Sequence, residues 1–211
     1  MYFLFPVSQG EFNDAVTQNG FPRPSDAQYR GYVDSLSKGG IGNKMEAGMF
    51  LAQILHESGG LRYKEEIRCT SGGQSCEEYQ TGDWTDCWRS RPGKRFYGRG
   101  YLQLTYCSNY RHASRGLGMG EQLADNPDMV AQREDLSWAV SAFFWRENVK
   151  PTLNQNPTAF GLTTKAINGA REECQGNGKN ADKSRTRFRY YQKVFQVYRL
   201  GGQPNEAGCN Y

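Results

Sequence analysis

The stretch Lys44-Met-Glu-Ala-Gly-Met-Phe-Leu-Ala-Gln-Ile-Leu-His-Glu57 decides the fold. Met45, Met49, Phe50, Leu51, Ile54 and Leu55 recur at intervals of three and four, on stripes that cover more than half of a helix's circumference. A helix this apolar must be largely buried, which predicts a mainly helical domain built around it. Ser58-Gly59-Gly60 stops the helix and leaves Glu57 in its last turn. A carboxyl group there loses hydration and meets the negative end of the helix dipole, and both effects favour its protonated form. That is the equipment of a general acid.

Glu66 follows nine residues later, in Tyr63-Lys-Glu-Glu-Ile-Arg-Cys69. If the chain doubles back through Gly59-Gly60, Glu66 faces Glu57 across a cleft. Two carboxyl groups about 6.5–9.5 Å apart, with water between them, suit an inverting glycosidase. His56-Glu57 also opens like the helix of a zinc protease, but the second histidine would fall at Gly60, and His112 is the only other histidine. Gly-x-Ser-x-Gly is absent as well. Neither a metal nor a cofactor is expected.

On the N-terminal side, Ser25 caps a predicted helix that ends at Gly39-Gly40, and residues 1–24 read as an irregular lead-in. On the C-terminal side, residues 69–95 are a Gly, Ser, Asp and Cys-rich loop that needs disulfides for order. Phe96-Tyr-Gly-Arg-Gly-Tyr-Leu-Gln-Leu104 predicts a short extended turn or small hairpin. Helices are expected from Thr105 to about Gly116, from Asp135 to Asn148 with Pro151 ending it, around Leu162 to Ile167, and from about Ala181 to Leu200. The last of these carries Phe188, Tyr191, Phe195 and Tyr198 on its inner face. Residues 201–211 read as a tail. With no internal repeat or hinge linker, one domain over residues 1–211 is the expectation.

The six cysteines are even in number and form no C-x-x-C pair, which favours three disulfides and an oxidising, extracellular setting. Met1-Tyr-Phe-Leu-Phe-Pro6 is too short for a signal-peptide core, so a leader is expected to have been removed or never present. The net charge of +4 is spread along the chain, which argues against nucleic acid, and no apolar run is long enough for a membrane span. A monomer is expected.

Two blocks, Phe50-Leu-Ala-Gln-Ile-Leu-His-Glu-Ser-Gly-Gly60 and Pro92-Gly-Lys-Arg-Phe-Tyr-Gly-Arg-Gly-Tyr-Leu-Gln-Leu-Thr105, resemble glycoside hydrolase family 19, the plant-type class of chitinases. Asn126-Pro-Asp-Met-Val-Ala131, the Ser137–Trp145 helix, Ala166-Ile-Asn-Gly169 and a terminal helix near Arg185 follow in the family's order. The spacing of nine between the two glutamates resembles the short-loop members.

This resemblance implies a lysozyme-like, two-lobed helical fold with a substrate cleft and no separate chitin-binding module. The implied activity is an inverting endo-chitinase acting on chitin or chitooligosaccharide, with Glu57 as acid and Glu66 as base. Thr105 stands where the family has a serine that helps hold the water. Gln103, Asn109 and Asn168 match sugar-binding amides, and Trp88 and Tyr97 are expected at the substrate. Arg185 matches an arginine near the base, with Glu172 or Glu173 as its acidic neighbour. Cys174 with Cys209 matches a family bridge. Cys69 with Cys76 and Cys87 with Cys107 are the expected remaining pairs, other pairings of those four staying open. An endolysin-like muramidase and a catalytically inactive chitin-binding protein are the alternatives.

Overall fold

The computed structural model describes residues 7–70, 76, 78–81, 85–168, 174 and 179–209. Glu172 and Glu173 lie outside the described residues. The expected irregular lead-in is corrected by a helix, α1 (Gln9–Gln18). Ser8 accepts from the Glu11 N–H while Glu11 accepts from the Ser8 N–H, a capping box that starts the helix despite its modest apolar content. Phe12, Ala15 and Val16 then bury its inner stripe.

α2 (Asp26–Lys38) has the same device at Ser25 and Gln28. α3 (Lys44–Glu57) is capped by Asn43 and is buried at every position from Glu46 to Leu55. Glu46 is tolerated there because Lys150 Nζ and Trp145 Nε1 both donate to its carboxylate at 3.0 Å. Short helices α4 (Ile67–Thr70) and α5 (Glu78–Thr81) follow. The rest of the helical course comprises α6 (Cys107–Gly116), α7 (Gln122–Asp125), α8 (Met129–Gln132), α9 (Glu134–Phe144), α10 (Lys150–Leu153), α11 (Phe160–Thr164) and α12 (Lys179–Val197).

Pro151 does not end the helical course as expected. A π-helical turn, Trp145–Val149, carries α9 into α10, and Pro151 sits in the first turn of α10, where a missing N–H costs little. Instead of a hairpin, the described residues hold only isolated bridges. Arg99 pairs antiparallel with both Glu65 and Leu104, and Ala159 pairs in parallel with Asn205, which ties the tail to α11.

Two main cores account for two lobes, beside a small cluster of Cys69, Cys76 and Tyr97 with Tyr79 packed against it. The larger gathers α1, α2, α3 and α12 with Trp138, Trp145 and Phe160. The smaller joins Phe96 and the Cys87 region to α6, α7 and α8. α9 serves both: Trp138 and Ala142 face the first core, Leu136 and Val140 the second. A helix used on opposite sides is apolar all round, which is why its sequence is so hydrophobic. The disulfides are Cys69–Cys76, Cys87–Cys107 and Cys174–Cys209.

Candidate active site

Glu57 occupies the C-terminal residue of α3, with Ser58 as the cap. Beyond it Gly59, Gly60 and Leu61 all take positive φ, and the Arg62 and Tyr63 N–H groups both return to the Ser58 carbonyl. This tight reversal needs glycine at position 60 for a second reason: a Cβ there would lie 2.1 Å from the Phe21 ring. The returning chain is then zipped to the Phe96–Thr105 segment. The Glu66 N–H donates to the Gly98 carbonyl and the Gly100 N–H to the Lys64 carbonyl, both at 2.9 Å. The Arg99 and Leu104 amides exchange bonds on the far side.

Each glutamate has its own cation. Arg187, on α12 and 1% exposed, donates from Nη2 to Glu57 Oε1 and from Nη1 to Gln53 Oε1 at 2.9 Å. Gln53, one turn before Glu57 on the same face, passes the support onward by donating to the Thr163 and Thr164 hydroxyls at 2.7 and 2.9 Å. The anchor of Glu57 is therefore a buried polar chain running α11, α3, α12. Among the described residues nothing donates to Glu57 Oε2.

Glu66 is held at Oε1 by Arg68 and by the Tyr79 hydroxyl, the latter at 2.9 Å. Arg68 is 45% exposed and also pairs with Glu78. Burial pushes the Tyr79 phenol up, the bond to Glu66 adds to it, and Arg68 opposes. Tyr79 thus remains a hydrogen-bond donor through the neutral range. Cys69–Cys76 closes the loop that brings Tyr79 back to Glu66.

Thr105 Oγ1 donates to the Gln103 carbonyl at 2.8 Å, which leaves its oxygen lone pairs as acceptors, and Asn109 Nδ2 donates to the Thr105 carbonyl at 2.8 Å. Gln103 takes positive φ and its amide lies against Gly98, where a Cβ would meet Gln103 Oε1 at 2.6 Å. Asn109 and Asn168 are exposed. Trp88 is half-buried on the smaller core, with Arg89 over its ring.

Two expected roles change. Tyr97 is buried, stacked on the Arg99 guanidinium at 3.7 Å, and its hydroxyl bonds Glu65 at 3.1 Å, so it supports the ladder rather than offering a face to a ligand. Arg185 lies on the exposed side of α12 with a bond to Asp182 at 3.1 Å, while Arg187 meets the glutamate, and that glutamate is Glu57. The sequence held the signal. Ala181, Ser184, Arg187, Tyr191, Val194 and Tyr198 step by three and four along the buried stripe of α12, which puts Arg187 inside and Arg185 outside. Gln53, the one amide in the apolar run of α3, was detectable in the same way.

A sequence profile described as chitinase class I, of glycoside hydrolase family 19, matches residues 29–156. An endochitinase of Arabidopsis thaliana is 39% identical over 142 residues, covering 67% of this chain and 45% of the relative. An acidic endochitinase of Beta vulgaris is 38% identical over 151 residues, covering 72% and 48%. The chain spans about half the length of these curated relatives. Among solved structures, chitinase C from Streptomyces griseus superposes with a TM-score of 0.74 at 26% identity, covering 99% of this chain and 81% of that chain. A class IV chitinase from Zea mays does so with 0.66 at 26% identity, covering 95% and 96%. The mainly helical, lysozyme-like architecture agrees with these neighbours, and the chain belongs to glycoside hydrolase family 19.

Proposed function

We propose that the protein is an endo-acting, inverting chitinase in which Glu57 is the general acid and Glu66 the general base. The observation that carries this reading is the separate anchoring of the two carboxylates at the ends of one tight reversal, Glu57 by Arg187 and Glu66 by Arg68. With Oε1 fixed by Arg187, Oε2 of Glu57 is the oxygen that presents the proton to the glycosidic bond. As that proton leaves, the guanidinium stabilises the negative charge that appears on the carboxylate. On the other side, Glu66 accepts one proton of a water whose second hydrogen bond goes to the Thr105 oxygen. That water attacks the anomeric carbon from the face opposite the leaving group.

Gln103, Asn109 and Asn168 supply amides for the N-acetyl and hydroxyl groups of N-acetylglucosamine, and Trp88 supplies an aromatic flank. Three disulfides fit action in an oxidising, extracellular compartment, and the protein acts as a monomer.

Proton NMR of chitin-hexamer hydrolysis tests the mechanism. The initial product is the α-anomer, and a β-anomer would refute it. Glu57→Gln lowers turnover by roughly 100- to 10,000-fold while hexamer affinity persists. Near-normal turnover in that variant removes Glu57 from the acid role. Sugar release from colloidal chitin compared with bacterial cell walls tests the substrate.

A further inference from the structure

Away from the two glutamates, a groove of about 910 Å³ runs between the end of α1 and the outer face of α12, closed at one end by residues 200–204. Its charged side chains are Arg189, Lys193 and Arg199, and no Asp or Glu lines it. Among the described residues nine arginines pair with carboxylates, whereas Arg189, Lys193 and Arg199 join no ion pair there. The groove thus gathers three cations with no carboxylate on its lining, although Arg189 also borders an adjoining cavity that contains Asp182 and Glu206. Unpaired cations gathered in a concave wall raise the local potential and draw in an anion.

The backbone at Arg199 is a second, independent observation. The end of α12 is closed by bonds from the Arg199 N–H to the Gln196 carbonyl and from the Leu200 N–H to the Phe195 carbonyl. In such a terminus the residue at Arg199's place is left-handed and is usually glycine. Here it is arginine at φ 52°, a conformation that disfavours any residue with a Cβ. The strained position therefore contributes an arginine rather than a glycine to the groove's lining, and retained strain is a pointer to function.

We infer that this groove is a second binding site, for a carboxylate-bearing polysaccharide. The chemistry of the walls selects the ligand class. The amides of Gln18, Gln192, Gln196 and Gln203 offer both donors and acceptors suited to sugar hydroxyls between the cations. Single-stranded nucleic acid is bound on exposed aromatic platforms, but of the groove's two rings Phe195 is buried and Tyr190 only partly open. A membrane surface would need an apolar wedge. Tyr63 and Ile67, the exposed large hydrophobic residues among those described, both lie elsewhere. The site would hold the enzyme on an acidic matrix while the cleft acts on a neutral polymer.

The test is titration of the whole protein with polygalacturonate at low ionic strength. The groove variant Arg189→Ala/Lys193→Ala/Arg199→Gly binds at least about tenfold more weakly than the parent, and binding by the parent declines as salt is raised. The charge-matched control Arg30→Ala/Lys38→Ala/Arg146→Ala stays within about twofold. Arg199→Gly alone weakens binding without lowering Tm, because glycine relaxes the left-handed turn. Hydrolysis of chitin hexamer by the groove variant stays at the parental rate, which also verifies its fold. The proposal is overturned if the groove variant binds like the parent, or if the control loses as much and net charge alone is responsible. It is equally overturned if a single-stranded oligonucleotide binds while polygalacturonate does not.

Discussion

The two glutamates are nine residues apart in sequence and are held by opposite means. Glu57 ends a long helix whose inner turns are all buried, and its cation, Arg187, is itself sealed in the core with Gln53 and two threonines behind it. Glu66 lies on an irregular segment and is held by an exposed arginine, a loop tyrosine, a pair of ladder hydrogen bonds and a disulfide. Hydrophobic packing fixes the first. Local polar and covalent staples, with only a small cluster of Cys69, Cys76, Tyr97 and Tyr79 beneath them, fix the second. Damage near Glu57 should therefore cost stability and activity together, whereas damage near Glu66 should cost activity with the fold preserved.

The largest expected effect comes from Arg187→Met. It leaves the buried Gln53 amide oxygen and the partly exposed Glu57 carboxylate without their Arg187 donor. Breaking a fully buried pair from one side costs roughly 3–5 kcal/mol, and because Glu57 is 22% exposed the lower end, about 3 kcal/mol, is expected. Urea unfolding would measure it, and turnover should fall in the same variant. A variant that unfolds like the parent while losing activity would break the comparison, since Arg187 would then serve chemistry alone.

Next is Cys69→Ser/Cys76→Ser, which opens a loop of sequence separation 7. The loop-entropy relation gives about 2.5 kcal/mol at most, and a local opening would cost less. Native-state hydrogen exchange should keep the α3 amides protected while turnover drops, because Tyr79 no longer meets Glu66. If α3 and the loop lose protection together, the two carboxylates share one cooperative unit and the contrast fails.

The same contrast explains what the sequence disclosed. α2 and α3 were legible to the residue because capping side chains and a 3.6-residue period write themselves into a sequence. α1 was missed although Ser8 and Glu11 form a capping box, since three apolar residues in ten give too weak a period. The Trp145–Val149 turn was not legible at all, because no local preference marks it and its buried residues, Trp145 and Val149, pack into the larger core. Glu57 and its helix could be read directly. Glu66 could be picked out by its charge, its spacing from Glu57 and the family resemblance, but its holders, Tyr79 and the Gly98 carbonyl, are long-range partners that neither the expected Cys69–Cys76 bridge nor the expected extended turn specified. Arg187 stood between: its place on the α12 stripe was readable, but its partner was not.

Arg68→Ala separates stability from activity most cleanly. Arg68 is 45% exposed, so solvent screens its ion pair and unfolding should change little. Turnover should still fall, by roughly tenfold, because Glu66 loses the cation that orients its carboxylate. Arg68→Lys should restore part of it. A drop in stability comparable to that of Arg187→Met would place Arg68 in the core's support and erase the difference.

Tyr79→Phe is the mildest probe and tests the polar clamp alone. It removes one donor from Glu66 Oε1 and keeps the ring, which packs edge-on against Tyr106 with centroids 5.8 Å apart. Since burial and the bond to Glu66 both raise the phenol, Tyr79 is a neutral donor across the working range, and its removal acts through lost orientation rather than a lost charge. A hydrogen bond to a charged group is worth roughly 1.5–3 kcal/mol when buried; here exposure and the remaining Arg68 bond reduce that to about 1 kcal/mol, a fivefold fall in kcat. If Glu66 is the base, KM for chitin hexamer should be unchanged, because the Tyr79 hydroxyl bonds Glu66. A rise in KM at constant kcat would instead make Tyr79 part of the sugar-binding surface, and Glu66 would then depend on Arg68 and the ladder alone.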